Sequence, residues 1–319
     1  MRLPVTAFLR RALAALCLCC VALPAAHAVQ QVVLVLSERG GVYEEFADAF
    51  EATLAGPGEA PRTRRVAASA TAPEATLAGS DLIVAVGVQA LRDAVGWPTP
   101  LPVLGALVPQ LAFERLAAEV GRRRPPASLS AIWLDQPPLR LLRLFRQILP
   151  ESRRAGVVLG PDSAAQLAAL KAAAAQARIE LAVETVAAES EVMPALARLL
   201  PTVDGLLAVP DGVVYRRDTV RGILLTTYRH RKPVIAFSQS YVNAGAAAAV
   251  FSTPALSALQ AAELVRALPP GRAVQLPPPQ HSAYPAVAIN RQVARSLGLD
   301  PPADALALKA VERATENER

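Results

Sequence analysis

The residues able to do chemistry in this sequence recur in one setting, a short polar loop directly after an apolar run. Ser37-Glu38-Arg39-Gly40-Gly41 follows Gln31–Leu36, Gly87-Val88-Gln89 follows Asp81–Val86, and Val108-Pro109-Gln110 follows Pro102–Leu107. Later, Gly160-Pro161-Asp162-Ser163 follows Gly156–Leu159, Pro210-Asp211 follows Asp204–Val209, and Ser238-Gln239-Ser240-Tyr241 follows Pro233–Phe237. A continuous apolar run is expected of a parallel strand covered on both faces. In open α/β sheets the carboxyl ends of such strands face the ligand crevice. The helices that follow have unpaired amino-end N–H groups and a partial positive charge, suited to a carboxylate or phosphate. The chemistry this predicts is recognition of a small molecule by hydrogen bonds and charge.

The ligand-binding residues expected from this pattern are Ser37, Arg39, Gly40, Tyr43, Gln89, Asp135, Ser163, Asp211, Tyr215, Ser238, Gln239 and Tyr241. Each has a plainer alternative. Ser37 and Ser163 either meet a ligand or cap helices. Asp135 and Asp211 either hold a ligand ammonium or fix turns. Tyr43 and Tyr241 either wall the pocket or pack. Arg39 clamps an anion or is solvated. Asp162 and Gln239 suit solvent or caps better than a ligand. The strand-end positions of Asp211 and Tyr241 predict that alanine at either weakens binding without unfolding the chain.

Catalytic signatures are absent from the sequence. There is no G-x-x-x-x-G-K-[ST], no G-x-G-x-x-G after the first strand and no H-E-x-x-H. No G-x-S-x-G elbow is present either. The three cysteines, Cys17, Cys19 and Cys20, all precede residue 28. After that point only His230, among Arg229, Arg231 and Lys232, and His281 remain. Neither suggests a metal ligand, and no cofactor or metal is expected. The reading is a binding protein, not an enzyme. An exported enzyme working with carboxylates alone is the less favoured alternative.

The elements that would position these loops begin after a leader. Arg2, Arg10 and Arg11, an apolar stretch Ala12–Leu23 and Ala26-His27-Ala28 make a secretory signal peptide over residues 1–28. Three of the six net positive charges leave with it. The remainder is too mildly basic to suggest a nucleic-acid partner. No later run reaches the roughly 18 apolar residues of a membrane span. A periplasmic, monomeric protein is expected.

Two βα series of similar length follow, predicting an α/β fold of two Rossmann-like, doubly wound lobes with a ligand cleft between them. Residues 29–127 with about 252–282 are assigned to the first lobe, and 128–251 with about 283–319 to the second. The first crossing is placed near Asp135, and the helix Ala255–Leu268 back on the first lobe. Leu276 is the packing residue expected in the proline-rich segment, and Lys309–Arg319 is expected to fray.

The ordered pieces Leu134-Asp135-Gln136-Pro137, Gly156-Val157-Val158-Leu159-Gly160-Pro161, Val209-Pro210-Asp211, Lys232-Pro233-Val234, Tyr241-Val242-Asn243-Ala244-Gly245-Ala246 and Ile289-Asn290-Arg291 carry a resemblance. With Val293–Leu299 they resemble the tryptophan/tyrosine-binding-like group of ABC transporter substrate-binding proteins. The resemblance implies the type I periplasmic-binding-protein fold, with three crossings and hinge closure on a small-molecule ligand. It also implies delivery to an ABC permease with its ATPase, and ligands such as aromatic amino acids or other small solutes. A sensory binding protein without transport is the alternative.

Overall fold

The computed structural model describes residues 29–56, 60–72, 74–121, 124–268 and 274–316. The expected leader, the pair Arg122-Arg123 and part of the proline-rich stretch lie outside the described residues.

The first series runs β1 (Gln31–Leu36), α1 (Gly41–Leu54), β2 (Arg62–Ala67), α2 (Glu74–Leu77), β3 (Leu82–Val86), α3 (Val88–Gly96), β4 (Val103–Val108), α4 (Gln110–Val120) and β5 (Leu129–Trp133). The second runs α5 (Pro138–Ile148), β6 (Arg154–Leu159), α6 (Leu167–Ala177), β7 (Glu180–Thr185), α7 (Val192–Leu199), β8 (Gly205–Leu207), α8 (Arg217–Arg229), β9 (Val234–Ala236), α9 (Gln239–Ala244) and β10 (Ala248–Phe251). The chain closes with α10 (Pro254–Ala267), β11 (Gln280–His281), β12 (Ala286–Ile289), α11 (Arg291–Ser296) and α12 (Asp304–Glu316).

The strands form two six-stranded sheets, ordered β11-β5-β4-β3-β1-β2 and β12-β10-β9-β8-β6-β7. All pairings are parallel except β10 with β12. This is the doubly wound pair of lobes that the two βα series predict. The strand order reverses between β1 and β3 in one sheet and between β6 and β8 in the other. Those are the two topological switch points, where such sheets usually receive ligands.

The core explains the elements. Strand β3 is buried at every position because helices cover both faces of the sheet. Helix α1 buries Phe46, Ala47, Phe50 and Leu54, its i, i+4, i+8 stripe. Ala258, Ala261 and Ala262 of α10 complete the same cluster, so this late helix belongs with the first sheet. Thr253 starts α10 by accepting from Leu256 N at 3.1 Å, just ahead of Pro254 at the first helical position. The chain therefore passes between lobes three times: after β5, after β10, and between β11 and β12. Because β5 pairs with β4, residues 129–133 belong to the first lobe, not to the second as the expected boundary at 128 has it.

Leu276 is buried and its N–H donates to Ala127 O at 2.9 Å, as the packing residue of its segment. The charged end does not fray at Lys309. It forms α12, because Ala307 and Val311, one turn apart, are fully buried in the core that contains α5. Charge on the outer face of a helix hid the small apolar inner face.

Candidate functional site

Each switch point is filled by the protein's own side chains. In the first lobe, Ser37 Oγ accepts from Ala90 N at 3.0 Å, capping α3 from a neighbouring loop. Gly87 begins that turn at φ +93°, and a Cβ there would lie 2.5 Å from Ser37 Oγ and 2.6 Å from the Tyr43 ring. Only glycine meets both the backbone conformation and the approach. In the second lobe the buried carboxylate of Asp211 accepts from Asp162 N (3.1 Å), Ser163 N (2.9 Å), Ser163 Oγ (2.8 Å), Val213 N (2.8 Å) and Val214 N (3.0 Å). It ties the loop after β6 to the loop after β8. Burial alone would raise the pKa of Asp211, but the N–H and O–H donors outweigh it and hold it below the ordinary carboxylate value.

The open space lies nearer the crossings between lobes, at the carboxyl ends of β8, β9 and β10. A cavity of about 350 Å³ is walled there by Leu134, Leu141, Leu170, Val209, Phe237 and Phe251. Its polar lining is Asp135, Gln136, Gln166, Ser238 and Ser252. Phe237 is braced from behind by an aromatic group. Its ring centroid is 4.7 Å from Tyr241 and 5.9 Å from Tyr215, and Tyr241 Oη donates to Tyr215 O at 3.0 Å. Burial pushes the Tyr241 hydroxyl up to about 12, so it stays protonated and a donor.

Asp135 stands where the cavity meets the first lobe. Its Oδ2 accepts from Gln110 N at 2.6 Å, capping α4. Burial raises its pKa, against the opposing effects of that backbone donor and of His281 nearby. The His281 Nδ1 lies 3.1 Å from Asp135 O, and its ring meets Trp133 edge-on at 4.8 Å.

One hydrogen-bond chain joins all three crossings beside the cavity. Arg140 Nη1 donates to Gln136 Oε1 (2.7 Å) in the first crossing and to Ser282 O (2.6 Å) in the third. Gln136 Nε2 donates to Ser252 Oγ (2.9 Å) in the second, and Ser252 Oγ donates to Tyr284 O (2.8 Å). Arg140 has no solvent exposure. Its guanidinium sits among the Gln136 side-chain oxygen and the carbonyls of Ser282 and Ala283.

Of the residues expected from sequence, Asp135 and Ser238 line the cavity. Tyr215 and Tyr241 stand behind Phe237. Ser37, Tyr43, Ser163 and Asp211 hold the switch points. Gln89 is bonded to Asp93 and Gln239 to Asn243 along their own helices, both exposed. Arg39 and Gly40 line a separate groove with Glu44 and Arg65 at the ends of β1 and β2. The loop pattern of the sequence does not point to the apolar wall or to the Arg140–Gln136–Ser252 chain. The available signals are Gln136 in the Leu-Asp-Gln-Pro motif and Phe237 directly before Ser238-Gln239-Ser240-Tyr241.

Away from the cavity, Arg115 on α4 reaches across the cleft to Asp162, 3.1 Å away, with the two side chains 62% and 38% exposed. Exposed pairs contribute about 0–1 kcal/mol. Arg115→Ala is therefore expected to change ligand affinity no more than about fivefold. Titration calorimetry at low and high salt checks this, since screening should remove most of the difference. A larger, salt-insensitive loss would mean that Arg115 does more than pair with Asp162.

Fold and cavity together describe two α/β lobes with a mostly apolar pocket beside the crossings that join them. A model of the ABC transporter substrate binding protein family matches residues 139–312. The chain belongs to that family. No curated protein is a match for the sequence. Among solved structures, the ABC domain from Streptococcus pneumonia in complex with L-Trp is similar over 88% of this chain and 98% of its own, at 17% identity and TM-score 0.56. The ligand-free, open structure of a substrate binding protein with adhesive properties from Clostridium difficile is similar over 87% and 97%, at 18% identity and TM-score 0.66. A conserved domain protein from Vibrio cholerae aligns over 88% and 98%, at 19% identity and TM-score 0.56. At these identities the likeness concerns the fold. Among the described residues no helix is long and apolar enough to cross a membrane, and no group of three or more His, Cys, Asp or Glu side chains could hold a metal.

Proposed function

We propose that this protein is a periplasmic solute receptor of an ABC-type transport system, trapping a small molecule at the hinge as its lobes close. The observation that carries this is the position of the cavity. It borders the first crossing at Leu134–Gln136 and the second at Ser252, with Pro109 of the first lobe on its wall. A ligand there touches both lobes and the segments that must bend, so its binding energy differs between open and closed states. Family membership supports a permease and ATPase as partners, and the leader expected from the sequence supports export.

The test is a ligand-dependent rise in melting temperature. A ligand bound only to the folded chain at a hundred times its Kd should stabilise it by about 2.7 kcal/mol. Ser238→Trp, which fills the cavity from a strand end, is expected to abolish that rise while leaving the ligand-free melting temperature within about 2 °C. A stabilising ligand that is indifferent to Ser238→Trp would place the site elsewhere.

A further inference from the structure

We infer that the hinge cavity selects an apolar molecule bearing an amine and no carboxylate or phosphate. This rests on the receptor reading and narrows it.

Three observations converge. First, the cavity wall is mostly carbon, and the one ionisable side chain lining it among the described residues is the carboxylate of Asp135. Arg39 lies in a different groove. Arg140, though close in sequence, directs its guanidinium at Gln136 Oε1 and the carbonyls of Ser282 and Ala283.

Second, three places where this fold could receive an anion are already taken. The amino end of α4, which faces the cavity, has Asp135 Oδ2 on Gln110 N. The amino end of α3 has Ser37 Oγ on Ala90 N. The β6–β8 switch point has Asp211, with its donors committed. A ligand carboxylate entering the cavity would meet Asp135, a like charge, where it needs a donor. Burying it there unpaired is unfavourable.

Third, Asp135 has capacity to spare. A carboxylate offers about four lone-pair sites. Gln110 N takes one, and the residue's own backbone N–H is the other donor near it. The remaining lone pairs suit a charge-assisted bond from a ligand ammonium. Gln136, Gln166, Ser238 and Ser252 supply neutral polar contacts, and Phe237 and Phe251 supply apolar surface.

The experiment uses the chain from residue 29 and matched probes on three skeletons, indolyl, phenyl and isobutyl. Each skeleton is presented as the amino acid, as the amine lacking the carboxylate, and as the acid lacking the amine. Binding is measured by titration calorimetry. On at least one skeleton the amine is expected to bind about tenfold or more tighter than the amino acid, with the acid silent. Asp135→Asn keeps the helix cap and should weaken amine binding about tenfold or more while leaving the ligand-free melting temperature nearly unchanged. Three outcomes overturn the inference: an amino acid or acid binding as tightly as its amine, an amine indifferent to Asp135→Asn, or no amine binding on any skeleton. Native mass spectrometry of the protein recovered from cells separates this from the broader reading. A bound small molecule carrying a carboxylate or phosphate, displaced in Ser238→Trp, sinks the ligand class and leaves the receptor standing. The receptor reading fails if no small molecule is carried and none of the probes binds.

Discussion

Asp211→Ala is expected to destabilise the second lobe by about 3 kcal/mol and to lower the melting temperature by about 5–10 °C. From its place at a strand end, Asp211 read as a ligand contact whose loss would spare the fold. The geometry changes that expectation. Its carboxylate gathers four backbone N–H groups and the Ser163 hydroxyl within 3.1 Å, and Ser163 itself is fully buried. Removing the acceptor leaves buried donors without partners, at about 1–3 kcal/mol each where water cannot reach them. Gly160 belongs to the same device, since Asp211 occupies the space a side chain there would need. The pH dependence has a definite sign. The folded pKa of Asp211 lies below the ordinary aspartate value of 3.8. Its contribution is therefore complete above that value and is lost as pH falls through the lower folded value. Thermal unfolding of wild type and variant across acid pH checks both claims. The gap between them should be full near neutrality and narrow only at the acid extreme. Wild-type stability in Asp211→Ala would show that the donors find other partners.

The pattern of the sheets was legible because burial on both faces leaves a plain trace, runs such as Gln31–Leu36 and Pro233–Phe237 ending abruptly in polar residues. The site was less so, for a physical reason. Leu141, Leu170, Val209 and Phe237 line a cavity, but a residue facing an apolar cavity and one facing the core are chosen by the same forces. Sequence reports that such a side chain avoids water; it does not report whether protein or ligand supplies the contact. Polar residues are ambiguous in the opposite direction. Ser37, Ser163 and Asp211 occur where ligand groups would be expected because strand ends and helix starts leave N–H groups unpaired, and here the chain satisfies those groups itself. Asp135 and Ser238 reach the cavity because they stand beside the crossings, a fact of topology that loop chemistry alone does not encode.

Arg140→Met should loosen the hinge. In Leu139-Arg140-Leu141-Leu142-Arg143-Leu144-Phe145 the arginine resembles any solvated cation on an amphipathic helix, yet its exposure is zero. Methionine keeps much of the stem's volume and removes the donors. Gln136 Oε1 and Ser282 O then lose their bonds from Arg140, and Gln136 is no longer held toward Ser252. Hydrogen bonds to a charged group contribute about 1.5–3 kcal/mol each, so a loss of about 3 kcal/mol is expected after partial relaxation. The effect on binding should differ from that of a cavity variant. The wall residues stay in place, but the crossings no longer bend from a fixed geometry, and the binding-competent arrangement becomes a smaller fraction of the population. Apparent affinity falls by that fraction. Small-angle scattering should show a broader distribution of lobe separations without ligand, narrowing when ligand saturates the protein. Gln136→Ala, which leaves Arg140 bonded to Ser282 O, should show a weaker version of the same broadening. If Arg140→Met loses stability but keeps the wild-type scattering profile and affinity, Arg140 serves the core of the second lobe alone and the three crossings are set by their backbones.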